Sequence, residues 1–254
     1  MDPVWLLLLL PLAAASGWYA ASRGRRSTRS VGADIPQAYF KSLNLLLNEQ
    51  QDKALDVLIS ALETHEETVE IQLALGNLFR RRGEIERATQ LHQNLIARSG
   101  LDPEQRLHAL YELGQDYYKA GLFDRAESLL LEVAEAAQYS ESAYRLLLQL
   151  YEQEKEWENA IDAARRLSLA SGEDLDGLLA QYNCELAEER MTAGFYQECA
   201  GFIHQALTLE QECTRALMQS GRLRAIKNEH VTAIREWTRI VNRHPEMLTD
   251  VIGL

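Results

Sequence analysis

Side chains that could perform acid–base or nucleophilic chemistry are present, but they do not form a catalytic pattern. No two histidines have the His-x-x-x-His spacing that places two imidazoles on one face of a helix. The histidines are His65, His92, His108, His204, His230 and His244. The sequence has no Gly-x-x-x-x-Gly-Lys phosphate loop, Gly-x-Gly-x-x-Gly or Gly-x-Ser-x-Gly segment. It therefore predicts that the protein is not an enzyme and needs no cofactor.

The abundant carboxylates do not change the prediction that the protein is not an enzyme. Glu152, Glu154, Glu156 and Glu158 surround Lys155, and such a run is typical of a solvated helix end.

The three cysteines indicate neither a metal site nor a disulfide framework. Cys184, Cys199 and Cys213 are 15 and 14 positions apart, without a Cys-x-x-Cys pair. Their odd number fits a reducing compartment. We expect Cys199 to be a packed thiol that acts as a small apolar group.

Residues 110–133 have the clearest structural pattern, that of a helical hairpin. Leu113, Gly114 and Tyr117 recur at helical spacing, and Gly121 interrupts the helix. Ala126 faces back from a second helix, and its small side chain together with Gly114 lets the two backbones approach closely. This is the tetratricopeptide repeat (TPR) pattern.

The same pattern recurs along the chain at about the 34-residue period of this repeat. The small residue of the second helix is found at Ala54, Ala88, Ala126, Ala160, Cys199 and Ala233. These positions are separated by 34, 38, 34, 39 and 34 residues, and the two excesses coincide with glycine-containing loops. The predicted units are 35–68, 69–102, 107–140, 141–174, 180–213 and 214–247. The sequence therefore predicts an all-α TPR solenoid of about six repeats.

A solenoid of this kind presents the first helix of each unit on a concave surface. Positions that repeat on that face include Leu73 and ten candidate protein-binding residues. The ten residues are Asn77, Arg80, Arg81, His108, Tyr111, Gln115, Tyr118, Lys119, Arg145 and Gln149. This mixture of polar, aromatic and cationic side chains suits an acidic peptide, although a soluble inner face without a ligand is an equal alternative.

An uncharged apolar run, residues 4–21, precedes the repeats. Eighteen residues of helix extend about 27 Å, enough to span a bilayer core. The alternative is a cleaved signal peptide, but the basic residues follow the run here, where Arg23, Arg25, Arg26 and Arg29 lie. Basic flanks stay in the cytoplasm, so we expect one transmembrane helix with the repeats in the cytosol. An exported periplasmic repeat protein is the remaining option.

The predicted domains follow from these features. Residues 1–22 are the transmembrane anchor, 23–34 a basic juxtamembrane linker and 35–247 the TPR solenoid. Residues 248–254 resemble the start of an incomplete further repeat. Beyond residue 34 the chain carries 22 basic and 36 acidic residues, which argues against a nucleic-acid partner.

Several segments together resemble the lipopolysaccharide assembly protein B family, TPR proteins of the Gram-negative inner membrane. The matching segments are residues 17–19, 50–54, 76–80, 82–84, 91–93, 120–127 and 184–187. The repeat consensus accounts for some of these matches. It does not account for the presence in one chain of an anchor, a basic linker and a spacing of 38 residues between Ala88 and Ala126.

The resemblance implies an adaptor that regulates lipopolysaccharide biosynthesis. Such an adaptor presents the deacetylase that commits lipid A synthesis to a membrane-bound ATP-dependent protease, and an inner-membrane sensor protein relieves this restraint. An alternative is a structural scaffold that organises lipopolysaccharide synthesis or export complexes without a role in proteolysis. A homo-oligomer is also left open.

Members of that family continue into more repeats and a rubredoxin-like domain with four metal-binding cysteines. This sequence stops at Leu254 and lacks those cysteines, so it predicts a truncated version and no metal site.

Overall fold

The computed structural model describes residues 41, 42, 45, 51–64, 69–247 and 249. These residues include eleven α-helices and one short 3-10 helix, and no strand occurs among them. The helices are α1 Gln51–Thr64, α2 Val69–Arg81, α3 Ile85–Ile96, α4 Pro103–Lys119, α5 Phe123–Ala134, α6 Ala137–Glu154, α7 Trp157–Ser171, α8 Asp176–Thr192, α9 Tyr196–Leu209, α10 Thr214–Ile226 and α11 His230–Arg243, followed by the 3-10 helix Pro245–Met247.

The predicted anchor, residues 1–22, and the predicted linker, 23–34, lie outside the described residues. So does the predicted partial repeat 248–254, apart from Thr249. Among the helices that the structure describes, none combines the length and the apolar character needed to cross a bilayer.

The chain divides into two units, Met1–Thr64 and His65–Leu254. In the first unit, Ala54 and Leu58 of α1 are fully buried. Ala54 is the first of the small residues that the repeat pattern singles out.

The second unit is a succession of helical hairpins. Its helices pair as α2 with α3, α4 with α5, α6 with α7, α8 with α9 and α10 with α11. Each second helix also packs on the first helix of the next hairpin, and α4 lies against both α2 and α6. Apolar side chains between neighbouring hairpins form the core, in which Leu130, Leu147 and Leu167 are almost completely buried. The predicted all-α TPR solenoid fold is therefore confirmed.

Small residues lie where paired helices come closest. Ala88, Ala126, Ala160, Cys199 and Ala233 are each at most 1% exposed, as their slot in the repeat requires. On the first helix of three hairpins, a glycine packs against the residue that lies four positions after this small residue. A Cβ atom on Gly114 would lie 3.1 Å from Leu130 Cδ2, and one on Gly221 would lie 2.1 Å from Trp237 Nε1.

The five hairpin turns of the second unit share one backbone conformation. Each has a single residue of positive φ, and these residues are Gly83, Gly121, Lys155, Gly194 and Asn228. The amide of the next residue donates to the carbonyl five positions earlier, as Leu122 does to Tyr117 at 2.9 Å. This is the Schellman bond that closes a helix C-terminus. Three turns use glycine, whereas Lys155 and Asn228 adopt the left-handed conformation with a side chain present.

The connections between hairpins differ from the predicted unit boundaries in detail. Helix α6 begins at Ala137, ahead of the predicted start of its unit at residue 141, and α8 begins at Asp176, ahead of residue 180. Asp102 begins α4 with a capping box, in which its side chain accepts from the Gln105 amide at 2.8 Å. The loop that contains Gly100 therefore ends at Asp102, where α4 begins.

Candidate protein-binding site

The ten candidate residues all lie on α2, α4 and α6, the first helices of three successive hairpins. We call them the first-helix surface. Most are half-buried or exposed, as a binding surface requires. Leu73 is different, because it is 5% exposed and packs with Leu95 and Ala109. The expectation that Leu73 faces the open side of α2 was wrong, since the helix turns this side chain into the core.

Arg80 is the centre of a buried polar cluster between α2 and α4. Its guanidinium donates from Nη1 to Asp116 Oδ1 at 2.7 Å and from Nη2 to Glu112 Oε2 at 2.5 Å. It also donates to the Glu112 carbonyl at 3.1 Å and to Asn77 Oδ1 at 2.8 Å. The Arg80 side chain is only 12% exposed. Arg80 is therefore engaged by two carboxylates of its own chain.

Two other candidate residues contact the same cluster. Gln115 Nε2 donates to Glu112 Oε2 at 3.1 Å, and His108 Nε2 lies 3.4 Å from Glu112 Oε1. Arg80, His108 and Gln115 thus converge on Glu112, and Asn77 joins the cluster through Arg80. The structure brings these four residues of the first-helix surface together.

His92 of α3 completes the cluster from the second helix of the hairpin. Its Nδ1 lies 2.6 Å from Asp116 Oδ2, and both side chains are fully buried. Among the described residues, His92 Nε2 has no hydrogen-bond partner. Gly76 lies beside this nitrogen, because a Cβ atom there would be only 2.2 Å from Nε2. The glycine of this hairpin therefore makes room for an imidazole.

The cluster favours the charged forms of Arg80 and Glu112. Burial opposes the charge of Arg80, but the charge of Glu112 and the hydrogen bonds to Asp116 and Glu112 raise the pKa of Arg80 above its ordinary value. Burial likewise opposes ionisation of Glu112, yet the hydrogen bond from His108 and the charge of Arg80 hold the pKa of Glu112 below its ordinary value. The positive charge of Arg80 is therefore balanced within the protein.

The aromatic part of the first-helix surface lies between α4 and α6. The ring of Tyr111 is 5.6 Å from that of Tyr139 of α6, and the His108 ring is 6.1 Å from Tyr139. Burial raises the pKa of Tyr111 and of Tyr139, so both phenols are neutral near pH 7. These three rings form a partly exposed edge against which an apolar or planar group could pack.

The remaining candidate residues lie around this centre. Lys119 Nζ is 5.6 Å from the centroid of the Tyr118 ring, a cation–π arrangement. Arg145 is paired with Glu141 at 3.0 Å and also with Glu173. Arg81 and Gln149 are exposed.

Chemically, the site offers groups that could bind and orient a ligand, and its buried ionisable groups are paired with one another. In the part of the chain that the structure describes, no group of three or more His, Cys, Asp or Glu side chains could hold a metal ion. In the acidic run of α6 and α7, Glu152 accepts from Tyr182, Glu156 from Asn159 and Glu158 from Arg190. His65 lies outside the described residues.

Sequence reasoning missed four residues of this site, namely His92, Glu112, Asp116 and Tyr139. The sequence contained a pattern that could have indicated two of them. Glu112 and Asp116 are one helical turn apart, and each is adjacent in the chain to an apolar residue of α4. Helical spacing alone did not indicate their burial, since that depends on Arg80 of the preceding hairpin.

Comparison with sequence families supports the repeat assignment. The tetratricopeptide repeat profile matches residues 111–174. This segment runs from α4 to the loop after α7 and includes Tyr111 and Tyr139.

Two characterised relatives carry the same name. Lipopolysaccharide assembly protein B of Escherichia coli strain K12 is 35% identical over 251 residues, which are 98% of this chain and 64% of the relative. The Haemophilus influenzae protein of that name is 32% identical over 259 residues, covering 97% of this chain and 64% of the relative. The chain thus resembles lipopolysaccharide assembly protein B throughout and spans about two thirds of its length.

Solved structures of other proteins are also similar to this chain. MamA is 19% identical with a TM-score of 0.45, covering 73% of this chain and 96% of its own. YrrB, described as a TPR protein with an unusual peptide-binding site, is 16% identical with a TM-score of 0.47, covering 77% and 96%.

Proposed function

We propose that this protein is a membrane-anchored cytosolic TPR adaptor that regulates lipopolysaccharide biosynthesis. It presents the deacetylase that commits lipid A synthesis to a membrane-bound ATP-dependent protease, and an inner-membrane sensor protein relieves this restraint. Similarity over nearly the whole chain to proteins named for lipopolysaccharide assembly supports the pathway.

The proposal of an adaptor rests on one observation, the first-helix surface. Three successive hairpins place aromatic, amide and cationic side chains on neighbouring helices, where a bound segment can contact all three. Such a surface provides affinity without a chemical step. It therefore favours a protein that holds a client over one that transforms it.

The chemistry of the surface favours an acidic client segment that carries an aromatic or apolar group. Arg80 is balanced by Glu112 and Asp116, so the cations available to a client are Arg81 and Lys119 at the end of each helix. Tyr111, which forms the aromatic edge with Tyr139, lies about two helical turns before Lys119 on α4. A client would pair its acidic groups with the cations and pack its apolar group on this edge.

The predicted anchor, residues 1–22, would keep a bound client close to the membrane. Attachment to the membrane raises the local concentration of a bound client near a membrane protease, without any new contact. The four arginines that follow the apolar run favour retention of the repeats on the cytoplasmic side.

Client turnover tests the proposal directly. In cells that depend on this chain, we expect the half-life of the deacetylase to lengthen when the chain is absent and to be restored by the intact chain. A variant lacking residues 1–22 should remain helical in solution and fail to restore turnover. Normal turnover with that variant would refute the tethering role. An unchanged half-life in cells without the chain would instead favour a scaffold for synthesis or export complexes.

The binding surface is tested by charge reversal. We expect Lys119→Glu together with Arg81→Glu to reduce the deacetylase recovered with the protein from detergent-solubilised membranes. Arg165→Glu on α7 is the matched control, because this arginine is exposed and belongs to a second helix. Equal recovery with the double variant and with the control would remove the first-helix surface from the proposal.

A further inference from the structure

Two of the three cysteines form a buried thiol pair. The sulfur atoms of Cys184 and Cys213 are 3.9 Å apart, although 29 residues separate them in the chain. Cys184 lies in the middle of α8 and is fully buried, while Cys213 precedes α10 and is 2% exposed. The pair therefore spans two successive hairpins at their first helices, outside the first-helix surface.

The surroundings give the two sulfurs different roles. Cys213 occupies the N-cap position of α10, where the backbone amides of Arg215 and Ala216 favour a negative charge on its sulfur although neither makes a capping hydrogen bond to it. The side-chain amide of Gln181 donates to this sulfur, at 3.5 Å. Donors around a sulfur favour its thiolate, and the positive end of a helix adds to this effect.

The Cys184 thiol lies within hydrogen-bonding distance of the Cys213 sulfur, and we assign the proton of this bond to Cys184 because the surroundings of Cys213 favour a thiolate there. This hydrogen bond lowers the pKa of Cys213, while the same contact and burial raise the pKa of Cys184. Cys213 is thus the nucleophilic member of the pair, and Cys184 is a protonated thiol held against it.

A metal ion fits this pair poorly. Two thiolates are half of a tetrahedral zinc site, and within the described ranges no third His, Cys, Asp or Glu side chain completes it. The arrangement of one activated thiol beside a second thiol is instead that of a nucleophile and a resolving cysteine.

We propose that Cys184 and Cys213 form a reversible disulfide that links α8 to α10, with hydrogen peroxide as the oxidant. The Cys213 thiolate attacks one peroxide oxygen, the O–O bond breaks, and the departing hydroxide takes up a proton to become water. The resulting sulfenic acid is then attacked by the Cys184 sulfur. The new S–S bond forms as the S–O bond breaks, and the leaving hydroxide takes the Cys184 proton as a second water. Two thiols and one peroxide thereby give one disulfide and two waters.

The bond requires the sulfurs to approach by about 1.9 Å, since a disulfide is about 2.05 Å long. Rotation of the two side chains and a small shift of α10 toward α8 would provide this movement. Oxidation would then fix the junction between two hairpins that are otherwise joined by noncovalent packing. A peroxide-dependent change in the spacing of these helices is the physical consequence.

Cys199 is the internal control for this site. It is fully buried among Ala187, Met191, Ile203 and Leu223, and burial raises its pKa. No thiol lies beside it among the described residues. We expect it to stay reduced under conditions that oxidise the pair.

The experiment uses the full chain, purified reduced in detergent, treated with a small molar excess of hydrogen peroxide and then alkylated under denaturing conditions. We expect the protein to lose two of its three alkylatable thiols and two hydrogen atoms in mass, and to regain both thiols with dithiothreitol. Retention of all three thiols would overturn the proposal, as would oxidation of Cys213 to the sulfinic acid without a crosslink.

The Cys199→Ser variant identifies the bond unambiguously. Trypsin leaves Cys199 and Cys213 on the same peptide, residues 191–215, and Cys184 on residues 167–190. In the Cys199→Ser protein, a linked pair of these two peptides can arise only from Cys184 and Cys213.

Two further variants test the roles of the thiols. Cys184→Ser should leave a sulfenic acid on Cys213 that dimedone traps, whereas Cys213→Ser should leave Cys184 unreactive. Equal reactivity of the two variants would overturn the assignment of Cys213 as nucleophile. Should either serine variant lose its helical circular dichroism, peptide mapping of the Cys199→Ser protein alone decides whether the bond forms.

Discussion

His92 and Asp116 form a fully buried pair that joins α3 to α4, with 2.6 Å between Nδ1 and Oδ2. Asp116 also accepts a hydrogen bond from Arg80 of α2, so one carboxylate ties three helices together. Buried polar contacts, in addition to apolar packing, therefore stabilise the interface between the second and third repeats. Removal of Asp116 would leave Arg80 without one of its two balancing charges.

We expect Asp116→Ala to lower the free energy of unfolding by about 3 kcal/mol, because it removes one carboxylate partner of Arg80 and leaves the buried His92 Nδ1 without its hydrogen bond. Urea unfolding followed by circular dichroism measures this loss. Glu132→Ala on α5 is the matched control, since Glu132 is exposed and its loss should change stability by less than about 0.5 kcal/mol. Similar losses in the two variants would show that the buried cluster contributes no more than an exposed carboxylate.

Gly76→Ala should destabilise the protein, although alanine ordinarily favours a helix. A Cβ atom on Gly76 would lie 2.2 Å from His92 Nε2, and Asp116 restrains the imidazole. We expect a loss of about 1–3 kcal/mol from this overpacking. Adding His92→Ala should remove most of the clash, so the double variant should show a smaller additional loss from Gly76→Ala than the single variant does.

Gly114→Ala is the comparison for that experiment. Its Cβ atom would lie 3.1 Å from a methyl carbon of Leu130, which can shift by a few tenths of an ångström. We expect this change to stay within about 1 kcal/mol of the parent, because helix propensity offsets the tighter packing. A larger loss at Gly114 than at Gly76 would contradict the explanation.

Stability should depend on pH through Glu112. The pKa of Glu112 is lower in the folded protein than the ordinary value of 4.5, because His108 and Arg80 stabilise its charge against the effect of burial. The unfolded chain therefore binds more protons as the pH falls below about 4.5. This contribution to stability is complete above that pH and is lost as the pH falls through the folded pKa.

Glu112→Gln isolates this contribution. We expect the variant to be less stable than the parent near neutral pH and the difference between them to shrink on acidification below about 4.5. Urea unfolding of both proteins at several pH values measures the difference. A difference that is the same at every pH would exclude Glu112 as the titrating group.

Lys155→Gly should stabilise the protein. Lys155 has φ of 60° at the turn between α6 and α7, where three equivalent turns have glycine. Relief of the left-handed strain should raise the free energy of unfolding by about 0.5–1 kcal/mol. Asn228→Gly should gain less, because asparagine tolerates this conformation better than lysine does. Thermal unfolding of the two variants compares them directly, and a loss of stability in Lys155→Gly would contradict the prediction.

The rate at which peroxide oxidises the cysteine pair should reach its plateau at a lower pH than the rate for an ordinary cysteine does. The hydrogen bond from Cys184, opposed by burial and aided by the helix amides, lowers the pKa of Cys213 to about 6. Because the thiolate is the reactive form, the rate of thiol loss with peroxide should be nearly constant above pH 7 and fall on acidification below about 6. Stopped-flow alkylation after timed peroxide exposure gives this rate. A rate that still rises through pH 8.5, as for an ordinary cysteine, would contradict the lowered pKa.

The hairpins could be predicted from the sequence because they depend on residues close together in the chain. Gly114 and Ala126 are twelve positions apart, and their spacing alone indicates a close helix pair. The unit boundaries were predicted less accurately, since α6 begins at Ala137 and no strong break in the sequence marks that residue. Similarly, the positive φ at Lys155 has no sequence signal of the kind that Gly121 provides.

The candidate surface was predictable as a set of positions, whereas the state of its charges was not. Periodicity places Arg80 on the open face of α2. It cannot reveal that Glu112 and Asp116 of the next hairpin form ion pairs with Arg80 there. Tyr139 was missed for the same reason, because it meets Tyr111 only after α6 packs on α4.

By itself, the sequence determined that this protein is a chain of helical hairpins, because helix periodicity and small residues at close approaches are local properties, and it predicts a binding surface on their first helices. The tertiary structure alone decided which polar groups are buried together, including Arg80 with Asp116 and Cys184 with Cys213. The physical reason is that these contacts join residues 29 to 36 positions apart. Their distances are set by how neighbouring hairpins stack, which spacing within one helix does not specify.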